Sequence, residues 1–337
     1  VKLKTHPYTL NLAHSFGISR ERYETQDTLI ASLTHHGVTG YGEATSNPYY
    51  GVTLKSLQQE IEAVRPLVEG APADDPEGLH LLLSQQQISN FARCALDMAA
   101  WDLYGKLLKT PLHALWGTTT DHYPVTNYTI GLDSAPVMVA KMLEKPWPVY
   151  KIKLGTDQDV ALVAELRKHT DAVFRVDANC AWRASETIAN AVALKELGVE
   201  FIEQPLAADD WPGMEQVAHR CVLPVMADES CIVEADVERC ALHFHGINIK
   251  LTKCGGLTPA LRMIQKAKSL GLKVMVGCMT ESSVGISAIA QLLPQLDFVD
   301  MDGALLLRED IASGVRIEAG GRVLFPELGG TGVTLLP

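Results

Sequence analysis

The spacing of hydrophobic and polar positions changes near residue 120 and divides the chain in two. Before that point, residues 29–34 and 39–44 read as strands joined by a His36-Gly37 turn. Over residues 53–68, Leu54, Leu57, Ile61, Val64 and Leu67 recur at helical spacing and predict one helix. A second helix is expected from about Ser89 to Leu108, with Ala92, Ala95, Leu96, Ala99 and Leu103 on its apolar face and Lys109-Thr110-Pro111 ending it. After Tyr123, short apolar strands alternate with amphipathic helices. The strands centre near Thr126, Ile152, Val176, Ile202, Val225, Ile249, Val274 and Phe298. From the second onward the repeat is about 24 residues, close to one strand–loop–helix–loop unit. Eight such strands predict a TIM-type barrel rather than a doubly wound sheet. The helix after the eighth strand is poor, and residues 313–317 with the Gly-rich tail read as a return to the first part. The expected division is a first unit of residues 1–118 joined by 314–337, and a barrel of 119–313.

In a barrel of this kind the carboxyl ends of all strands face one mouth, so polar residues there are candidates for chemistry. The second strand ends Lys151-Ile152-Lys153, and strand period puts both lysines on one face. Asp177, Glu203 and Asp228 end the next three strands. A lone strand-end Asp is usually a cap or turn residue, and a lone Lys-x-Lys is usually a solvated edge. Three carboxylates converging on one mouth are a different matter. They would repel one another and raise each other's pKa unless a cation lay between them. Oxygen donors without His or Cys favour Mg²⁺, with Mn²⁺ as a substitute, over zinc. Lys153 and Lys250 fall on strands four apart of eight, hence on opposite sides. A carbon held between them could lose a proton to one amine and regain it from the other, a metal-chelated carboxylate stabilising the enediolate between. Crowded cations would help a lysine shed its own proton.

Composition narrows the field without choosing within it. With 47% hydrophobic and 20% charged residues, the chain reads as globular rather than disordered. A formal net charge of -11 and the lack of a Lys/Arg block argue against a nucleic-acid partner. Seven cysteines, without a Cys-x-x-Cys pair, suit a reducing compartment better than a disulfide framework or zinc ribbon. Residues 1–22 show no signal-peptide core and no run is long enough to span a bilayer. The expected location is the cytoplasm, with no membrane partner; self-association into a homo-oligomer is left open.

Together, Lys151-Ile152-Lys153, Asp177-Ala178-Asn179, Glu203-Gln204-Pro205, Asp228-Glu229-Ser230 and Asn248-Ile249-Lys250 with Cys254-Gly255-Gly256-Leu257 resemble the enolase superfamily, muconate-lactonizing-enzyme subgroup. Residues 95–106 look like that subgroup's first-domain helix, so the resemblance covers the whole chain. It implies an α/β fold, a (β/α)7β modified TIM barrel with an N-terminal α+β capping domain. It implies Asp177, Glu203 and Asp228 as Mg²⁺ ligands and Lys153 and Lys250 as the acid/base pair, a pairing of lysine and magnesium already characteristic of the superfamily. Lys151 would help neutralise the substrate carboxylate, and Asn179 and Glu229 would support the ligands from behind.

The eighth strand bears on the substrate. Asp300 and Asp302 share a face by strand period, would oppose a dicarboxylate, gain nothing from an N-acyl group and suit an ammonium. This Asp-x-Asp before Gly303, and the run Gly277-Cys278-Met279-Thr280-Glu281-Ser282, are similar to those of dipeptide epimerases. The resemblance implies a dipeptide held by its carboxylate at the metal and by its ammonium on Asp300 and Asp302, with inversion at the α-carbon of the second residue. The plainer alternative is that Asp302 caps the turn before Gly303. Cys278 and Met279 are expected to line the pocket, and Trp182 to pack locally. Two first-domain loops, residues 16–24 and 46–52, are expected to select the side chain. Arg20 and Arg22 are close by, but Tyr23 takes the position where an arginine for an acidic second residue is expected. Tyr50, with Tyr49, suits a hydrophobic or aromatic partner or simple loop packing. The rivals are an N-acylamino acid racemase, an o-succinylbenzoate synthase or a muconate-type cycloisomerase of the same superfamily. A lysine Schiff-base aldolase would leave three carboxylates without purpose, and a non-catalytic scaffold would be expected to lose a lysine or a ligand.

Overall fold

The computed structural model describes residues 1–18 and 22–337. Strands β1 (Lys2–Gly17), β2 (Arg22–His35) and β3 (Val38–Thr45) form an antiparallel sheet. Leu29, Ala31, Leu33 and Ala44 face a core shared with helices α1 (Leu54–Ala63), α2 (Arg65–Gly70), α3 (Pro76–Ser84) and α4 (Asn90–Leu107). The loop expected over 16–24 is shorter, because Phe16 and Gly17 pair with Tyr23 and Arg22 beyond a strand irregularity. Arg20 lies outside the described residues.

The single helix expected over 53–68 is two. Pro66 has no N–H for the carbonyl four residues back, and its ring crowds that carbonyl, so the chain breaks at Val64 and restarts. Helix α4 begins where expected, with the Ser89 side chain accepting from the Ala92 N–H, and Lys109 ends it in the left-handed region at φ 53. Its alanine face lies directly on β3. A Cβ at Gly40 would stand 2.2 Å from the Leu103 nitrogen, and one at Gly42 would stand 2.1 Å from the Ala95 oxygen. Only glycine permits that approach.

Eight parallel strands follow in sheet order: β4 (Tyr128–Ile130), β5 (Val149–Lys153), β6 (Val173–Asp177), β7 (Val199–Glu203), β8 (Val225–Ala227), β9 (Gly246–Lys250), β10 (Lys273–Gly277) and β11 (Phe298–Asp300). The expected TIM-type barrel is thus present. Its first strand starts at Tyr128 rather than around Thr126. The Thr126 N–H donates to the Gly321 carbonyl and its own carbonyl accepts from the Trp147 indole, so that backbone is already engaged outside the sheet. The first and last strands meet through side chains, Asn127 donating to Asp300 and the Thr129 N–H to Asp302.

An α-helix follows each of the first seven strands; among the described residues, only a 3-10 turn at Gly303–Leu306 follows the eighth. The tail then returns to the first sheet's side. Ala312–Ser313 pairs with Thr334–Leu335, and the Thr331 N–H donates to Asp102 of α4. Asp97 of the same helix accepts from the Thr258 N–H at the start of helix Leu257–Ser269. Both carboxylates are fully buried, so α4 is the strut that holds the N-terminal sheet over the barrel. Cys94, Cys221, Cys231, Cys240, Cys254 and Cys278 are free thiols. No helix among the described residues is long and apolar enough to cross a membrane.

Candidate active site

Asp177, Glu203 and Asp228 offer oxygens that all lie within 4.8 Å of one another, and all three residues are buried. The Asn179 N–H donates to Asp177 at 2.9 Å, from a backbone at φ 43 that asparagine tolerates better than most residues. Asn248 Nδ2 donates to Glu203 at 2.7 Å. The Gln204 side chain ties β7 to the end of β8, its Oε1 accepting from the N–H groups of Asp228 and Ser230. Lys253 lies beneath and donates to Asp228 Oδ1 at 2.5 Å and to the Cys231 carbonyl at 3.0 Å. Sequence reasoning assigned no role to Gln204, Asn248 or Lys253. For Lys253 a signal existed, since it is the one charged residue between Leu251 and Leu257, and a lysine buried there needs an anionic partner.

Amines answer these carboxylates. Lys151 Nζ stands 3.1 Å from Asp177, 2.8 Å from Glu203 and 2.8 Å from Asp300. Lys153 is 2.7 Å from Asp177, and Lys250 is 2.8 Å from Asp228. Because β5 and β9 are four places apart in the sheet, Lys153 and Lys250 approach from opposite sides. Burial alone would raise Asp177 and Asp228. Lys153 and Lys151 nevertheless hold Asp177 below the usual range, and Lys250 and Lys253 hold Asp228 well below it. Glu203 is left over, pushed up to about 8 by burial and then by Asp177. Its Oε2 has no aligned hydrogen bond. Lys151 and Lys153 share the Asp177 Oδ2 oxygen, and Lys151 by itself would lower Lys250. Each amine is nevertheless matched to a carboxylate, and Asp228 raises Lys250 above its ordinary value against the effect of burial. The shortage is of positive charge, at buried oxygen donors, which fits a hard divalent cation.

The remaining candidates line the same cavity of about 250 Å³, beside Lys151, Lys153 and Lys250. Asp300 accepts from Asn127 at 2.7 Å, and Asp302 accepts from the N–H of Thr129 at 2.6 Å. Asp302 makes no side-chain bond to the 3-10 turn it precedes, so capping does not account for it. Cys278 Sγ lies within 4.8 Å of both aspartates, and burial with Asp300 pushes its thiol well up, away from a nucleophilic thiolate. Asn47 donates to Met279 Sδ at 3.7 Å, and the Tyr23 hydroxyl shares a 2.9 Å hydrogen bond with Thr280; both link the N-terminal sheet to the barrel. Tyr50 rests on Phe91, with ring centroids 5.6 Å apart, and also faces the cavity with Glu229. Arg22 points elsewhere, to Asp133 and the Leu132 carbonyl. Trp182 is buried and donates its indole N–H to Asp159.

Residues 2–117 match the family described as mandelate racemase / muconate lactonizing enzyme, N-terminal domain, and residues 137–337 match the enolase C-terminal domain-like family. A Maribacter sp. protein named L-Ala-D/L-amino acid epimerase is 69% identical over 335 residues, which cover 99% of each chain. A Flavobacterium johnsoniae protein of the same name is 56% identical over 100% of each chain. Among solved structures, a dipeptide epimerase from Enterococcus faecalis, complexed with Mg and the dipeptide L-Leu-L-Tyr, has a TM-score of 0.93 at 29% identity, covering 99% of each chain.

Proposed function

Since the chain belongs to the mandelate racemase / muconate lactonizing enzyme family, with its enolase-like C-terminal domain, we propose that it is a dipeptide epimerase, an isomerase that inverts the α-carbon of the substrate's C-terminal residue. The observation that carries this reading is the position of Lys153 and Lys250, four strands apart across three clustered carboxylates. One amine takes the α-proton from one face, and the other delivers a proton to the opposite face of the resulting enediolate. A single base would return the proton where it was taken, so inversion needs the pair. Asp177, Glu203 and Asp228 are the residues that would hold Mg²⁺, with Mn²⁺ expected to substitute. The ion, when bound, supplies positive charge to a substrate carboxylate gaining negative charge.

Lys151 touches both the ligand cluster and Asp300, and so sets the spacing between the carboxylate and ammonium ends of the substrate. Asp300 and Asp302 receive the ammonium. Asn179 and Glu229 steady the ligands, while Cys278, Met279, Tyr23 and Tyr50 shape the cavity. Residues 119–313 supply the chemistry, and residues 1–118 with 314–337 supply the covering loops. Phe16, Ile18 and Tyr23 in the lining, and the engagement of Arg22 outside it, support an uncharged second residue.

A dipeptide library incubated in D₂O and read by mass spectrometry tests the assignment. One deuterium is expected at the C-terminal residue of the preferred dipeptides with Mg²⁺, and none after EDTA. Failure of every dipeptide to exchange in the presence of Mg²⁺ would sink it.

A further inference from the structure

Lys153 and Lys250 each end a barrel strand, yet the segments that follow them are held differently. After Lys153, the Leu154 N–H donates to the Asp177 carbonyl at 2.9 Å, and Asp159 accepts from the N–H groups of Gly155 and Thr156, both at 2.9 Å. These partners belong to the barrel's own strands and helices. Lys250 instead runs directly into the one-turn helix Leu251–Cys254. Two anchors hold that turn. From inside the barrel, the Lys253 amine donates to Asp228 and to the Cys231 carbonyl. From the other side, the half-buried Asn90 at the start of α4 donates its Nδ2 to the Lys253 carbonyl at 2.6 Å. Arg93 donates to Asn90 Oδ1 at 2.6 Å, which fixes the end of the amide that faces Lys253.

The contact continues along the first half of α4. A Cβ at Gly256, just past the turn, would stand 2.3 Å from Asp97 Oδ2. The Trp101 indole donates to the Thr258 hydroxyl at 2.8 Å, and Cys94 and Met98 share an apolar cluster with Leu251 and Cys254. Further along the helix, Asp102 and Lys106 engage the first sheet and the tail instead, through Tyr41, Thr39, Thr331 and Val333.

We infer that Asn90 is a positioning residue for Lys250, so that the first sheet's helix layer governs one of the two proton transfers while the barrel alone sets Lys153. Lys250 lies three positions before the carbonyl that Asn90 holds, at the other end of a single helical turn. A shift of that turn re-aims the Lys250 stem at its root, and a misplacement of about 1 Å slows proton transfer steeply. The inference rests on the reading of Lys153 and Lys250 as opposed acid and base.

Asn90→Asp tests it, because aspartate removes the donor, keeps an oxygen for Arg93 and suits the first turn of a helix. Asn90→Ala removes both bonds. Thr331→Val is the control, since it deletes a hydroxyl bond to Asp102 further along the same helix. Deuterium entry and inversion are followed by NMR in D₂O at saturating Mg²⁺, separately for L-Ala-L-Phe and L-Ala-D-Phe. The diastereomer that Lys153→Ala still exchanges marks the Lys250 face. In both Asn90 variants its exchange is expected to fall on the order of tenfold. The other diastereomer should exchange near its wild-type rate with retention, and inversion should slow in both directions. A weakened metal site or a loosened fold would slow both exchanges together and leave their ratio alone, as Thr331→Val should. An unmoved ratio in Asn90→Asp overturns the inference, and so does a loss confined to the Lys153 face or an equal shift in Thr331→Val. If Lys153→Ala and Lys250→Ala do not separate the two diastereomers, the two-base reading falls and takes this inference with it. Separated diastereomers with an unmoved ratio in Asn90→Asp remove the inference alone.

Discussion

Lys253→Met probes how the clustered carboxylates are held. Lys253 is 1% exposed and donates to Asp228 Oδ1 and to the carbonyls of Asp228 and Cys231. Methionine keeps most of the apolar stem but removes the donor, leaving Asp228 with Lys250 as its nearest cation and taking one donor from each of the Asp228, Cys231 and Asn248 carbonyls, of which the first still accepts from the Cys231 N–H. Removing one member of a buried ion pair costs about 3–5 kcal/mol. Lys250 stays on the other oxygen, so the lower end, about 3 kcal/mol, is expected. For a chain of 337 residues, an unfolding entropy of about 2.1 cal/mol/K per residue comes to about 0.7 kcal/mol/K, and the loss becomes about 4 °C in Tm. A divalent ion would give Asp228 a new partner, so the difference between wild type and variant should shrink in saturating Mg²⁺. Thermal melts by circular dichroism, in EDTA and in Mg²⁺, measure both quantities. An unchanged Tm in EDTA would refute the energetic reasoning. An equal loss in both conditions would show that Lys253 supports the barrel rather than the ligand.

Three further outcomes follow from the same geometry. Lys153→Ala and Lys250→Ala should each slow epimerisation by about 10²-fold or more, while the remaining lysine still exchanges the α-proton of one diastereomer in D₂O; NMR resolves the two, and exchange of both in either variant contradicts the assignment. Gly42→Val places a side chain 2.1 Å from the Ala95 oxygen and must lift α4 from β3, with an expected loss of about 3 kcal/mol or more in urea denaturation. Glu281 accepts from the Met279 N–H, and burial followed by Glu43 pushes it up to about 8. A carboxyl raised in the folded state binds more protons there than in the unfolded chain, so its contribution falls as pH rises from the ordinary carboxylate range to about 8. Glu281→Gln, whose amide oxygen can still accept from Met279, should flatten that part of the stability profile, and an unaltered slope would show that the proton resides elsewhere.

What was legible in the sequence was periodic. Strands β5 to β11 lie close to their predicted centres because each is built on a short apolar run, and the clustered carboxylates at the ends of β6 and β7 and just after β8 arrived with them. Contacts between distant segments were not legible. The start of β4 depends on Gly321 and Trp147, which no local pattern connects to Thr126. Lys253 finds Asp228 25 positions away. The break at Val64 was readable from Pro66, but apolar spacing continues across it through Leu67 and hides it. Tyr23 was placed by alignment at a substrate position; its bond to Thr280 needs the barrel beside it before it can be seen.

The charge pattern of the site also suggests why two lysines can trade roles. Four buried amines, Lys151, Lys153, Lys250 and Lys253, stand among six buried carboxylates, Asp177, Glu203, Asp228, Glu229, Asp300 and Asp302. Without a divalent ion the surplus is negative, and it is relieved by a proton on a carboxyl, which is where Glu203 and Asp302 are pushed up to about 8 and about 7. With such an ion among the three ligands, the formal charges would balance. A zwitterionic dipeptide adds none, and one amine must give up its proton to act as base. Lys151 keeps Asp300 as a partner, and Lys253 keeps three backbone carbonyls. Lys153 and Lys250 pair with Asp177 and Asp228, the carboxylates that the ion would engage. They are therefore the amines whose counter-charge the ion would share, and only one of them need act as base. The loaded site would then hold one base and one acid at once, and whichever lysine is neutral selects the diastereomer that reacts.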